Sequence, residues 1–185
     1  MNIRLINIKR DKSDLKKIKR LYHTAFPSDE RAPFGILVRG AKKPNVNFFS
    51  CRDGDKWIGF LYTVNYLDLS YVFYFAVDDA LRGKGYGSAI LKAAQKKYSG
   101  RRLFLAIEEV EKKYKNYQQR VNRLRFYERA GFVRTGQKMQ EASVIYDLMS
   151  IGGRVRNEEY RQLMISFGGL RMLFFTIRIL DDRLG

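Results

Sequence analysis

The chain has 185 residues and is 45% apolar, enough for one domain with a core and a small appendage. Its single cysteine, Cys51, excludes an intramolecular disulfide and gives no argument for secretion. The formal net charge of +17 suggests an anionic partner or substrate, or else a solvated basic surface, and says nothing about fold.

In chain order, Met1 to Ile8 reads as a strand. Leu15, Ile18, Leu21, Tyr22 and Ala25 recur at helical spacing, with Ser13 as a cap and Pro27 as a stop. Pro33 opens a short second helix through Arg39. Val46 to Cys51 is strand-like, Asp53-Gly54 supplies a hairpin turn, and Trp57 to Tyr66 returns as the next strand. Tyr71 to Val77 is a third β-type run. The pattern then changes. Gly87 to Tyr98 is helical, with Gly100 as its stop; Arg102 to Ile107 is a strand; Gln118 to Ala130 is helical, followed by Gly131. Phe132 to Met139 and Ser143 to Ile151 form a closing antiparallel pair.

This order predicts an α/β fold: a mixed, mostly antiparallel central sheet flanked by helices. Gly152-Gly153 is the best internal boundary. It divides a body, residues 1–151, from an extension, residues 152–185, that holds a short helix near Glu158 to Ser166 and an apolar piece, Leu170 to Leu180. The extension has six arginines and four acids, so the body carries +15 of the +17. The start of the chain is charged throughout, without the apolar block of a signal peptide. Leu163 to Leu180 is broken by Gly168, Gly169, Arg171 and Arg178, which argues against a membrane span and for a cytoplasmic protein.

Arg82-Gly83-Lys84-Gly85-Tyr86-Gly87 lies between a strand and a helix. A helix N-terminus offers free backbone N–H groups and partial positive charge, glycines allow close approach of an anion, and Arg82 and Lys84 add full charges. Together they describe a diphosphate cradle; the alternative is a glycine-rich turn without a ligand. A P-loop is excluded, because Gly-x-x-x-x-Gly-Lys-Ser/Thr is absent. A dinucleotide fingerprint fits poorly. Gly87 follows Gly85 by two residues, not three, and residues 78–82 separate strand from glycines, although Glu108 stands where the ribose-binding acid would.

Arg-Gly-x-Gly-x-Gly after a β-run resembles the acyl-CoA-binding motif of the GNAT superfamily of N-acetyltransferases. Phe126-Tyr127-x-x-x-Gly131-Phe132 resembles that family's second motif, and Phe26-Pro27 with Glu30-Arg31 resembles one bacterial branch. The resemblance extends from residue 1 to about 151. It implies acetyl transfer from acetyl-CoA, as cosubstrate, to a primary amine by direct attack, with no metal. It implies that backbone amides of Arg82, Gly83, Lys84, Gly85, Tyr86, Gly87 and Ser88 hold the CoA pyrophosphate. It also implies that the main chain of Phe75, Ala76 and Val77 holds the pantetheine arm as an added strand. Tyr127 matches the tyrosine that hydrogen-bonds or protonates the leaving thiolate; as a plain core aromatic it would share a helical stripe with Val121 and Leu124. Many members place an asparagine seven residues before that tyrosine, where this chain has Arg120. For deprotonating the amine the candidates are Glu108, which follows an apolar run where burial would raise its pKa, Asp78, Glu30, and water.

The rival reading is a basic nucleic-acid- or ribosome-binding module with a vestigial or regulatory CoA site. Lys112, Lys113, Lys115, Arg120, Arg123, Arg125 and Arg129, interleaved with Tyr114, Tyr117 and Tyr127, are its basis. No named binding motif accompanies them, and such a run is also what a solvated helix face looks like. The acceptor is a small-molecule or peptide amine, an acidic one suiting a +17 protein better than a polycation. Weak non-specific polyanion binding is expected, and monomer and homodimer are both open.

Overall fold

The computed structural model describes residues 1–28, 31–141, 144–169 and 177–180. The sequence order of elements is β1 (Ile3–Asn7), α1 (Leu15–Ala25), α2 (Phe34–Gly40), β2 (Val46–Asp53), β3 (Lys56–Tyr66), β4 (Leu69–Val77), a 3₁₀ turn (Asp79–Leu81), α3 (Tyr86–Lys97), β5 (Arg102–Glu108), α4 (Tyr117–Arg129), β6 (Val133–Glu141), β7 (Val144–Ile151), α5 (Asn157–Gly168) and β8 (Ile177–Leu180). The strands form a mixed sheet in the order β1-β2-β3-β4-β5-β7-β6-β8, flanked by helices. Its contacts divide into two compact units. One holds Met1–Val64 and Val72–Lys97; the other holds Asn65–Tyr71 and Tyr98–Gly185.

In the first unit β1, β2 and β3 pair antiparallel, with Leu5 opposite Cys51 and Phe49 opposite Leu61. The buried faces are aromatic. Tyr22 of α1 meets Tyr74 edge-on with centroids 5.0 Å apart, and Phe48 meets Tyr62 at 4.9 Å. Their hydroxyls still need partners. Tyr22 donates to the Ala32 carbonyl at 2.9 Å and Tyr74 accepts from the Ala32 N–H at 3.1 Å, so two core rings fix the entry to α2. Cys51 is fully buried, and burial pushes its thiol pKa up, which makes it a packing residue.

The second unit is built on β5. The start of β4 pairs with it in parallel, Leu69 to Tyr71 opposite Arg102 to Phe104, and β7 pairs antiparallel on its other edge. β6 lies between β7 and β8, antiparallel to both. Arg102 bonds Asp68 at 2.6 and 2.7 Å, Glu159 at 3.0 and 2.9 Å, and the Arg154 carbonyl at 2.7 Å. Glu159 also accepts from the N–H of Arg156, closing a capping box at the start of α5. These bonds hold its pKa down at about 2. The extension is thus tied into the unit that contains β5 to β7. Tyr160 of α5 adds to this by donating, with Tyr71, to Glu141.

Several expectations need correction. Ser13 does not cap α1. The helix starts after Asp14, whose carboxylate is instead taken by Ser50 Oγ at 2.6 Å and by Arg52 at 2.7 Å on both oxygens. Pro33 is the residue before α2 rather than its first member. The apolar piece Leu170 to Leu180 ends in a strand, β8, whose Ile177 to Leu180 pair with Glu141 to Lys138; its earlier residues lie outside the described ones. Among the described residues no helix is long and apolar enough to cross a membrane.

Candidate active site

In the first unit, β4 ends at Val77 and the chain turns through a 3₁₀ segment that Asp78 caps, its side chain accepting from the Ala80 N–H at 3.0 Å. The glycine loop follows. Gly83 and Gly85 have φ of +74° and +80°, values that favour glycine because a Cβ would be strained there. These two turns carry the chain into α3, whose first turn is Tyr86 to Ala89. The first intrahelical bond runs from the Ala89 N–H to the Gly85 carbonyl. Among the described residues nothing accepts from the N–H groups of Gly83 to Ser88. They form a run of free donors at the positive end of a 12-residue helix, the arrangement that binds phosphate oxygens.

The two expected cations flank it differently. Arg82 pairs with Asp79 at 2.6 Å yet remains well exposed, and Lys84 reaches back to the Ala80 carbonyl at 3.1 Å. A third cation, Lys56 at the start of β3, stands 5.6 Å from the Tyr86 ring centroid. Its proximity comes from the β2–β3 hairpin, and nothing in the local sequence announces it.

Upstream, Phe75, Ala76 and Val77 end β4. Ala76 is buried, while Phe75 and Val77 are half-exposed. β3 approaches closely here: a Cβ on Gly59 would lie 2.2 Å from the Ala76 carbonyl oxygen. The approach depends on a glycine at 59 and fixes where that carbonyl points.

In the second unit, Tyr127 lies on α4. Its carbonyl accepts from the Phe132 N–H at 3.1 Å, and its ring meets Phe132 edge-on at 5.9 Å. Phe132 is buried, and it ties the helix end to β6. The Tyr127 side chain is half-buried. Among the described residues nothing bonds its hydroxyl, and burial pushes its pKa up to about 12, against a small opposing pull from Arg123. Val121 and Leu124, its partners on the expected stripe, are also only half-buried.

Glu108, at the end of β5, is far from the isolated buried carboxyl that its apolar run suggests. Arg123 pairs with one oxygen; Arg120, at 3.1 Å, and the Asn116 amide, at 3.2 Å, take the other. Arg120, at the position where the resemblance implies an asparagine, also donates to the Glu109 carbonyl at 2.7 Å and stacks on Tyr114 at 3.7 Å. It clamps α4 to the end of β5. Arg123 precedes Tyr127 by one helical turn, so it neighbours both Glu108 and the tyrosine. Asp78 is occupied as a cap, and Glu30 lies outside the described residues.

Residues 44–134 match the model of the acetyltransferase (GNAT) domain. This segment is a GNAT acetyltransferase domain. It holds β2 to α4, and therefore the glycine loop, Glu108 and Tyr127. No curated protein matches the chain by sequence. Among solved structures, a protein of Bacteroides thetaiotaomicron assigned to the GNAT family superposes with a TM-score of 0.65 at 22% identity, covering 89% of this chain and 93% of its own. An aminoglycoside 6′-N-acetyltransferase complexed with coenzyme A gives 0.61 at 15% identity, over 82% and 96%. The ribosomal-protein-S18-alanine N-acetyltransferase of Escherichia coli gives 0.60 at 18%, over 81% and 92%. At these identities the likeness is one of fold, and it covers more of the chain than the matched segment does.

Proposed function

We propose that the protein transfers an acetyl group from acetyl-CoA to an amine, with the pyrophosphate held by the backbone N–H groups of Gly83 to Ser88. The observation that carries this reading is the run of unpartnered donors at the start of α3 in a GNAT domain. Arg82, Lys84 and Lys56 add positive charge around it. The pantetheine arm bonds the main chain of Phe75 to Val77 as an added strand, so its recognition needs no particular side chain. Coenzyme A in the structurally similar aminoglycoside enzyme supports the choice of ligand.

In the reaction the amine nitrogen attacks the thioester carbonyl, the C–S bond breaks, and CoA leaves as a thiolate. Tyr127 donates a hydrogen bond to that sulfur. Its pKa of about 12 lies above that of an ordinary thiol, about 8.5, so the phenol keeps its proton and stabilises developing charge, while solvent completes the thiol. Glu108 is engaged by two arginines and an amide. As a base it would have to give up one of them, so the proton of the attacking amine passes to water. Glu108 then acts by holding Arg123 beside Tyr127.

The test is free-thiol release from acetyl-CoA across a panel of amine acceptors, with mass spectrometry of the acylated product. Release that requires both an amine and the protein is the expected result. Absence of transfer to every amine, with acetyl-CoA bound, would overturn the proposal.

A further inference from the structure

The first unit contains a cleft of about 410 Å³ lined by Lys17, Arg20, Leu21 and Thr24 of α1, by Trp57 of β3, and by Asp78 and Asp79 just before the glycine loop. Its walls carry opposite charge: cations on the α1 side, carboxylates on the loop side. Asp79 is bound to Arg82, and Asp78 caps Ala80, so both acids are held in place. On the other wall Arg20 is exposed and, among the described residues, forms no ion pair or hydrogen bond through its side chain. Lys17 lies over the Trp57 ring with its ammonium 6.0 Å from the centroid, and its pair with Asp14 is long, 3.5 Å.

Trp57 gives the second observation. Its indole N–H is closed off from solvent and has no partner, the one buried side-chain polar atom among the described residues of which this is true. A buried donor without an acceptor is costly, and in native proteins such a group calls for an explanation. A ligand oxygen entering the cleft would supply one. Lys17, more than half exposed, lies over the same ring and lines the cleft. The forked guanidinium of Arg20 matches a carboxylate, whereas the two aspartates would repel a doubly charged phosphate and attract an ammonium.

We infer that this cleft binds a small acidic amine, an amino acid or peptide terminus, with its carboxylate on Arg20 and the Trp57 N–H and its ammonium toward Asp78 and Asp79. The inference does not rest on the acetyl-transfer reading; the binding site stands on its own geometry.

Trp57 is the only tryptophan of the chain, so its fluorescence reports the cleft without activity. The experiment titrates the full-length protein with glutamate, glycylaspartate and aspartylglutamate, and in parallel with butylamine and inorganic phosphate. Expected is a saturable emission change with the acidic amines, weakened at least tenfold in Arg20→Gln, with little change for butylamine or phosphate. Calorimetric acetyl-CoA binding should be equal in both proteins, which separates loss of the cleft from loss of the fold or of the cosubstrate site. A flat response to all three acidic amines, an unchanged response in Arg20→Gln, or an equal response to phosphate would each overturn the inference. Failure of acetyl-CoA to bind would instead count against the acetyl-transfer reading, while the fluorescence titration would still decide whether the cleft binds acidic amines.

Discussion

Tyr127 is the residue on which a chemical role and a packing role can be separated. Its ring contacts Phe126 and Phe132, while nothing among the described residues uses its hydroxyl. Tyr127→Phe should therefore keep the fold, with stability changed by about 1 kcal/mol or less. It should lower kcat and kcat/KM together by about a hundredfold, because the bond to sulfur strengthens only as the thiolate forms. Steady-state thiol release beside direct titration of acetyl-CoA measures both. The motif made this tyrosine visible in the sequence. The partners of Glu108 were not visible, because Arg120, Arg123 and Asn116 reach it through the docking of α4 on the end of β5, a long-range arrangement that the local apolar run conceals. The same holds for Asp14, which directly precedes α1 and whose carboxylate is buried against Ser50 and Arg52.

At the scale of elements, alternation and helical spacing placed most strands and helices, although α4 buries no residue fully and β3 is buried on both faces from Ile58 to Val64. β8 escaped notice: its four residues close an apolar stretch with no turn signal, and only pairing with β6 makes them a strand. The joint between β3 and β4 is an element-level device. Gly59→Ala would set a methyl 2.2 Å from the Ala76 carbonyl oxygen, so the strands must part. Urea unfolding should show a loss of about 1–3 kcal/mol, and calorimetry a weaker affinity for acetyl-CoA, since Ala76 lies in the strand proposed to hold pantetheine. α5 has an acid-sensitive latch. The folded-state pKa of Glu159 is about 2, below its ordinary 4.5, so its contribution is present above about pH 4.5 and lost as pH falls toward 2. Stability followed by urea midpoint should fall over that window, and Glu159→Gln should flatten the fall while costing stability at neutral pH.

For the whole molecule, the charge of +17 already subtracts the acids, and the ion pairs decide where on the surface the surplus cations stand. In the run around α4, Arg120 and Arg123 are engaged by Glu108, and Lys113 by Glu109 and Glu111. Binding to mixed RNA should accordingly be weak, indifferent to sequence, and lost between about 50 and 200 mM salt in a filter or anisotropy assay. Tight binding that survives this range would contradict the expectation. The central claim is narrower and rests on the backbone at the start of α3. Its most direct measurement is calorimetric titration of acetyl-CoA into the unaltered protein and into Gly85→Glu, with circular dichroism as the check on folding. Residue 85 needs positive φ, and glutamate would add a negative charge where the pyrophosphate lies. The account expects saturable binding in the first protein and its near-complete loss in the second with the fold intact; equal affinity in both, or none in the unaltered protein, would contradict it.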